Sequence, residues 1–361
     1  MVTPLASGLP DFPWDRLDQA HAVARAHPGG EIDLSIGTPV DATPDVIQRA
    51  LAGAANAPGY PTAAGLPALR EAWSRWAVRV AGADVSPLAV APLVGSKELV
   101  ALLPFALGLR AGDVVAIPEL AYPTYAVGAL IAGAQFVTYR DANDIPTNAA
   151  LIWVNTPANP HGAVLTAQEL HEIVSLGRRI GAPVVSDECY LELGWDVEPQ
   201  SVLSISGDGH HGALSVQSLS KRSNLAGYRS GAVLGDADLV AAIVGMRKHA
   251  GLLMPTPVQH ASIAALDDVS HVSEQKERYR ARRVVLRAAL ESAGFDISHS
   301  HAGLYLWATR GQECMATIEW LSKRGIVCAP GDFYGPAGSH HVRIALTVSD
   351  DQAVQVADRL A

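Results

Sequence analysis

Seven short apolar runs, separated by segments long enough for a helix, lie between residues 89 and 234 of this chain. They cover residues 89–94, 114–117, 135–139, 150–154, 183–186, 213–217 and 231–234. Strands that alternate with helical crossovers are typical of an α/β sheet, and such sheets are mostly parallel. Polar side chains follow several of these runs directly, and open α/β sheets bind ligands outside the carboxyl ends of their strands. The sequence therefore predicts a mostly parallel, seven-stranded sheet between helices, with a ligand site at its carboxyl edge.

A change of pattern near residue 262 indicates a second domain. A charged helical stretch over residues 274–293, with five arginines, leads into a segment of mixed α and β pattern that ends at Ala361. We expect a large domain over residues 33–261 and a smaller α+β domain over residues 262–361. Residues 1–32 are too few for a domain, and we expect them to pack on the small domain.

Composition limits the class of protein. With 361 residues and 49% hydrophobic side chains, the chain can bury a large core. A net charge of −9 disfavours a nucleic-acid-binding face, which would be basic. Only 6% of the residues are aromatic and 17% charged, so we expect partner subunits to cover part of the surface as in a homo-oligomer.

Neither a membrane segment nor a metal site is expected. The longest apolar run, residues 99–109, contains Pro104 and is well short of the roughly 20 residues that span a bilayer. The start of the chain lacks the pattern of a secretory signal, so we expect a cytoplasmic protein. The cysteines Cys189, Cys314 and Cys328 form no CxxC pair, and the 13 histidines lack the spacing of metal ligands.

The most specific local pattern is the segment 218–229, which reads Ser-Leu-Ser-Lys-Arg-Ser-Asn-Leu-Ala-Gly-Tyr-Arg. Lys221 stands beside the hydroxyls of Ser218 and Ser220, and Arg229 follows a glycine that permits a tight turn. A lysine amine forms a Schiff base with an aldehyde, while hydroxyls and a guanidinium bind phosphate oxygens. The pattern predicts a site for pyridoxal 5'-phosphate (PLP), which meets both requirements. A polar surface loop is the alternative interpretation.

This segment resembles the corresponding one of the fold-type I PLP-dependent aminotransferases of class I and II, and the resemblance extends over most of the chain. It implies that Lys221 carries the cofactor as a Schiff base. It also implies that Ser218, Ser220 and Arg229 bind the cofactor phosphate.

Two further motifs follow apolar runs. Residues 95–98, Gly-Ser-Lys-Glu, open a helix, where the free N–H groups of Ser96 and Lys97 would bind phosphate. An ordinary helix cap is the alternative there. Tyr122, in the motif Ala-Tyr-Pro-Thr-Tyr, matches the family's aromatic residue and would stack on the cofactor ring in the catalytic site. A turn residue before Pro123 is the alternative for Tyr122.

The resemblance implies that three more residues contact the cofactor ring. Asn159, in the motif Asn-Thr-Pro-Ala-Asn-Pro-His-Gly, and Tyr190 would contact the phenolic oxygen, and Asn159 is also expected near the substrate. Asp187 ends an apolar run, and its carboxylate would keep the pyridine nitrogen protonated, which makes the ring an electron sink. A helix cap is the alternative for Asp187. His161 stands where the family usually has threonine and would either touch substrate or face solvent.

Three residues are implied to hold substrate or to link subunits. Arg343 matches the family arginine that clamps the substrate carboxylate, and an exposed charge on an edge strand is its alternative. Gly37 lies in the segment that closes over substrate. Tyr60 matches a tyrosine that reaches the cofactor phosphate of the neighbouring subunit, which implies a homodimer with shared active sites.

The expected reaction is ping-pong transfer of an amino group between an amino acid, glutamate in particular, and a 2-oxo acid. Six segments resemble those of bacterial N-succinyldiaminopimelate aminotransferases, namely residues 59–65, 118–125, 186–190, 218–221, 225–229 and 329–335. This resemblance implies N-succinyl-2-amino-6-oxopimelate as the acceptor. Candidates for the distal carboxylates are Arg222, Arg247, Lys248 and His161, and no spacing rule chooses among them. The alternatives are a histidinol-phosphate, aspartate or aromatic aminotransferase, a PLP-dependent C–S lyase, and a PLP-sensing regulator.

Overall fold

The structure is a computed structural model, and it describes residues 8–361. The strands of the described residues are β1 (Ile32–Asp33), β2 (Val90–Leu93), β3 (Val114–Pro118), β4 (Gln135–Tyr139), β5 (Ala149–Asn155), β6 (Val184–Asp187), β7 (Ala213–Ser218), β8 (Gly231–Gly235), β9 (Asp296–Ser298), β10 (Tyr305–Thr309), β11 (Ile326–Val327), β12 (Ala329–Pro330) and β13 (His341–Ala345). The helices are α1 (Asp18–Arg25), α2 (Asp45–Gly53), α3 (Pro67–Trp76), α4 (Ser96–Ala106), α5 (Thr124–Ile131), α6 (Ala167–Ile180), α7 (Val202–Ile205), α8 (Leu219–Arg222), α9 (Ala237–Ala250), α10 (Thr256–Asp267), α11 (Ser270–Ser292), α12 (Cys314–Ser322) and α13 (Asp350–Leu360).

All seven predicted runs are strands of one sheet, in the order β2-β8-β7-β6-β5-β3-β4. β8 runs antiparallel to both of its neighbours, and the other pairs are parallel. The predicted mostly parallel α/β fold is therefore confirmed. Because β5, β6 and β7 are parallel, their carboxyl ends meet at one edge, where Asn155 pairs with Asp187 in register.

Helices cover both faces of this sheet, and each face has its own core. Ile152 and Trp153 are adjacent in β5 and fully buried, yet they pack into different cores because successive side chains of a strand point to opposite faces. The helices are delimited by ordinary end signals. In α6, Thr166 and Glu169 form a capping box, and Gly181 ends the helix in a left-handed conformation.

A second sheet, antiparallel and in the order β12-β13-β10-β9, lies in the C-terminal part of the chain. Leu17, Ala24 and Ile32 share its hydrophobic core, and β1 pairs in parallel with β11. These described residues of the N-terminal segment therefore pack against residues that follow position 262, while residues 1–7 of the segment lie outside the described part of the chain. The domain boundaries at residues 33 and 262 stay a prediction.

Residues 8–361 contain neither a helix able to cross a membrane nor a cluster of metal-ligating side chains. None of the helices there combines the length and the apolar character that crossing a membrane requires. In the same part of the chain, no three His, Cys, Asp or Glu side chains are arranged so that they could hold a metal ion.

Candidate active site

A cavity of about 330 Å³ opens at the carboxyl edge of the large sheet. It brings together most of the side chains that the sequence singled out: Gly37, Ser96, Lys97, Tyr122, Asn159, Asp187, Tyr190, Ser218, Ser220, Lys221, Arg229 and Arg343. Among the residues expected to contact the cofactor, Tyr60 alone does not line the cavity, and it is 98% exposed in the single chain. Its role at a partner's phosphate stays a prediction.

Lys221 is held in the short helix α8 directly after β7. The Ser218 hydroxyl accepts a hydrogen bond from the Ser220 N–H at 3.2 Å and so caps this helix. The Lys221 ammonium donates to the Gly37 carbonyl oxygen. Burial lowers the pKa of Lys221, which favours the neutral amine that a nucleophile or a base requires.

One end of the cavity has the features of an anion site. Ser96 begins the eleven-residue helix α4, and its hydroxyl lies 3.3 Å from the Cys189 sulfur. The Arg229 guanidinium makes no ion pair with any described residue, and its Nη1 donates to the Ala226 carbonyl at 3.0 Å. A helix N-terminus, hydroxyls and an unpaired guanidinium are the donors that bind a phosphate. These residues therefore fit the phosphate group of PLP.

Gly95 is required where it stands, for two reasons. Its φ is +79°, and a Cβ atom there would overlap the Arg229 guanidinium. We expect Gly95→Ala to displace Arg229 and to lower the affinity for PLP by about 10- to 100-fold, since hydrogen bonds to a charged group are lost. Gly108→Ala is the matched control, because Gly108 also has a φ of +79° but has open space around it. Titration of the apo-proteins with PLP measures both, and equal affinities for the two variants would contradict the prediction.

Asp187 is buried, at 7% exposure, and its carboxylate has only neutral hydrogen-bond donors. The Tyr125 hydroxyl donates to Oδ2 at 2.9 Å, and the Cys189 N–H donates to Oδ1 at 3.3 Å. No Lys, Arg or His among residues 8–361 forms an ion pair with it. Burial raises the pKa of Asp187, although these hydrogen bonds act in the opposite direction. A carboxylate in this setting is suited to a cationic N–H group, such as that of a protonated pyridine ring.

The Asn159 loop is anchored to the strands beneath it. The Asn155 Oδ1 accepts from the Asn159 N–H at 2.7 Å, and the Asn155 amide donates to the Asp187 carbonyl oxygen at 2.9 Å. The side-chain oxygen of Asn159 in turn accepts from Arg343 at 2.8 Å. The Tyr190 hydroxyl lies 3.2 Å from that of Tyr305.

Arg343 is a buried cation without a carboxylate partner in the described chain. It is 2% exposed and lies in β13, between β12 and β10, so it is not an exposed charge on an edge strand. Its guanidinium lies 3.9 Å from the ring centre of Tyr305, donates to Asn159 and to the Ser35 carbonyl, and leaves Nε without a partner. Such a group is suited to a substrate carboxylate, which would supply the missing charge.

The residues considered for a distal carboxylate lie elsewhere. Arg222 pairs with Glu192 at 2.6 Å, and the fully buried Arg247 pairs with Glu98. Neither lines the cavity, nor do Lys248 and His161. His161 packs its ring against that of His299, with 5.2 Å between ring centres, and burial together with neighbouring histidines lowers its pKa to about 4.

Lys97 was not among the residues considered for a distal carboxylate, but its side chain is a cation that does line the cavity. Its Nζ lies 5.7 Å from the ring centre of Phe12 and 5.9 Å from that of Tyr122, and it makes no ion pair with a described residue. The sequence pointed to this residue only for its backbone N–H. Its exposed side chain adds a positive charge beside the aromatic rings of Phe12 and Tyr122, which line the cavity with it.

Several residues of the cavity were missed from the sequence. Tyr125 stands three positions after Tyr122 in the same motif, but the sequence did not indicate its hydrogen bond to the Asp187 carboxylate. Tyr305 lies in an apolar strand of the C-terminal part with no local signal, and Asn155 ends β5. The others are Phe12, Trp14, Ile36, Thr38, Cys189 and Ala226.

The known proteins that this chain resembles are aminotransferases. Residues 30–360 match the sequence profile of the family "Aminotransferase class I and II". The chain is 51% identical over 360 residues to a probable aminotransferase of Mycobacterium tuberculosis, and the match covers 99% of this chain and 86% of that protein. It is 51% identical over 355 residues to the 4-dedimethylamino-4-oxo-anhydrotetracycline transaminase OxyQ of Streptomyces rimosus, with 98% and 99% covered. Among solved structures, a probable N-succinyldiaminopimelate aminotransferase from Thermus thermophilus superimposes with a TM-score of 0.88 and 29% identity, with 97% and 99% covered.

Proposed function

Because the chain belongs to the class I and II aminotransferases, whose cofactor is PLP, we propose that the cavity around Lys221 transfers an amino group between an amino acid and a 2-oxo acid. One observation carries this proposal: a partly buried lysine, a buried carboxylate and a buried arginine, none of them in an ion pair with a described residue, face the same cavity. Each of these groups lacks the partner that the cofactor or an amino acid would supply.

The residues of the cavity divide the binding of PLP between them. Arg229, the α4 N-terminus and the hydroxyls of Ser218 and Ser220 would hold the phosphate. Asp187 would pair with the pyridine nitrogen, and Tyr122 would cover a face of the ring. When bound, PLP supplies an electron sink that lowers the energy of a carbanion at the substrate α carbon.

Two residues would act on the substrate directly. Arg343 would bind the α-carboxylate with its free donors and so orient the Cα–H bond. Burial lowers the pKa of the Lys221 amine, which would accept the α proton at Nζ. Lys221 would then donate this proton again, which completes the amino transfer. Because the same residues would serve both half-reactions, we expect ping-pong kinetics.

For the acceptor, we propose a 2-oxo acid with a distal carboxylate, with N-succinyl-2-amino-6-oxopimelate and glutamate as the pair. Two observations support it: Lys97, which lines the cavity without an ion pair to a described residue, and the likeness to the Thermus thermophilus protein. The second candidate is a ketone on a fused ring system. It is supported by the identity of 51% to the Streptomyces rimosus transaminase and by the aromatic wall of Phe12, Trp14 and Tyr122.

We also propose that the protein is a homodimer in which Tyr60 reaches the phosphate of the partner's cofactor. The exposure of Tyr60 and its position outside the cavity of its own chain support this arrangement. Sedimentation analysis of the purified protein tests the assembly, and a monomer at working concentrations would contradict it.

Amino donors mixed with the PLP-loaded protein test the substrate proposal. Glutamate and N-succinyl-LL-diaminopimelate should bleach the visible absorbance, whereas histidinol phosphate and phenylalanine should not. We expect Lys97→Gln to lower kcat/KM roughly tenfold for glutamate and N-succinyl-LL-diaminopimelate, each of which has a distal carboxylate, since one charge-assisted contact is lost. Alanine is the reference donor, because it has no distal carboxylate and its kcat/KM should stay the same.

The outcomes separate the candidates. Reaction of a ring-bound amine with no response to glutamate would favour the second candidate. If Lys97→Gln lowers kcat/KM equally for alanine and for glutamate, Lys97 does not bind the distal carboxylate. No bleaching by any amino donor would overturn the aminotransferase proposal itself.

A further inference from the structure

A buried tyrosine, Tyr125, lies directly behind the carboxylate that faces the cavity. It is fully buried in α5, and its hydroxyl donates to the Asp187 Oδ2 at 2.9 Å. Its ring stacks on Trp153, with 5.0 Å between ring centres and 24° between planes. This packing leaves the phenol no freedom to turn away from Asp187, so the contact is built into the fold.

The same side chain touches a second residue of the cofactor site. The Tyr125 ring packs edge-on against Tyr122, with 6.0 Å between ring centres and 86° between planes. Tyr125 therefore supports both the carboxylate expected at the ring nitrogen and the aromatic ring expected on the ring face.

We propose that Tyr125 is a positioning residue that keeps Asp187 ionised and aimed at the ring nitrogen of the cofactor. This inference rests on the proposed function. A buried carboxylate without a cation is costly, and a hydrogen bond to its charged form lowers that cost. Tyr125 supplies a neutral donor, so the charge of Asp187 remains available to the cofactor instead of being neutralised by a protein cation.

Besides Tyr125, only the Cys189 N–H donates a hydrogen bond to this carboxylate among the described residues. The other titratable groups that line the cavity with Asp187 are Lys97, Tyr122, Cys189, Tyr190, Lys221, Arg229, Tyr305 and Arg343. The flanking strands contribute Asn155 and Val216, which carry no charge. Glu188 is next in the chain, but it does not line the cavity and is bound by Ser201, Ser215 and Gln217. Removing the Tyr125 hydroxyl should therefore act mainly on Asp187.

The test compares Tyr125→Phe with Tyr139→Phe. Tyr139 is also buried, and its hydroxyl donates to the Trp153 carbonyl oxygen at 2.6 Å, so each variant loses one phenolic hydrogen bond next to Trp153. Both variants should lower the Tm. Only Tyr125→Phe should weaken PLP binding, by roughly tenfold, as expected for a lost hydrogen bond to a charged group.

The pH dependence gives the second measurement. Loss of the donor should raise the pKa of Asp187, so the pH below which PLP affinity falls should move upward by about one unit in Tyr125→Phe. It should stay unchanged in Tyr139→Phe. If Tyr125→Phe fails to fold, 3-fluorotyrosine at position 125 replaces it. This residue is a more acidic phenol and a stronger hydrogen-bond donor, so it should lower the pH below which PLP affinity falls.

The two proposals fail in different ways. If the wild-type protein binds no PLP, the proposed function fails and this inference fails with it. If the wild-type protein binds PLP, but Tyr125→Phe and Tyr139→Phe have the same PLP affinity and the same pH dependence of that affinity, only the role of Tyr125 is overturned. An unchanged pH dependence of PLP affinity with 3-fluorotyrosine at position 125 would overturn this role in the same way.

Discussion

Lys221→Ala is expected to abolish amino transfer, with a loss of roughly 10⁴-fold or more in kcat, because one side chain supplies both the covalent attachment and the proton transfer. Lys97 is the other lysine among the described residues that line the cavity, but its ammonium lies against the rings of Phe12 and Tyr122, whereas that of Lys221 donates to the Gly37 carbonyl oxygen. The variant should also lose the visible absorbance of the lysine-bound cofactor.

The attachment can be measured without turnover. Borohydride reduction of the PLP-loaded wild-type protein should fix the cofactor mass on the peptide that contains Lys221. The Lys221→Ala variant should give no such adduct. Lys248→Ala is the control, since Lys248 is exposed on α9 and should leave adduct and activity unchanged. An adduct on a different lysine, or activity retained in Lys221→Ala, would contradict the assignment.

The large sheet was predictable because six of its seven strands are buried on both faces and therefore read as continuous apolar runs, whereas the edge strand β4 is largely exposed. β5 illustrates this, since Ile152 and Trp153 pack into different cores although they are adjacent. The direction of β8 was not predictable, because an apolar run has the same composition whether it lies parallel or antiparallel. The pairing of β1 with β11 was also missed, as two residues carry no periodic signal.

Residues that follow strands were found because parallel strands bring their carboxyl ends to one edge. Asp187 and Lys221 are examples. Tyr305 was missed because its contact with Tyr190 joins positions 115 residues apart, and nothing local distinguishes it from a core tyrosine. Arg222 and Arg247 were considered as substrate ligands, but each is paired with a glutamate, and such pairing is visible only in three dimensions.

Asp187→Asn is expected to lower kcat by roughly 10³-fold, because a neutral amide cannot hold a proton on the ring nitrogen and the electron sink is lost. The folded apo-protein should not suffer. Burial raises the pKa of Asp187, so the ionised side chain makes the wild-type apo-protein less stable as pH rises above about 4, the value of an unfolded aspartate. The asparagine variant lacks this charge, and its Tm should equal or exceed that of the wild type at neutral pH.

Glu188→Gln is the matched control, since it alters the next carboxylate in the chain. Glu188 is fully buried outside the cavity and accepts hydrogen bonds from Ser201, Val202, Ser215 and Gln217. The NH2 group of a glutamine at position 188 would face these hydrogen-bond donors and find no acceptor, so this variant should lose about 1–3 kcal/mol of stability. The folded fraction should keep its kcat. Thermal unfolding and steady-state kinetics on both variants separate the roles. If Asp187→Asn lowers the Tm and leaves kcat intact, the carboxylate is structural and the cofactor assignment at the ring nitrogen is wrong.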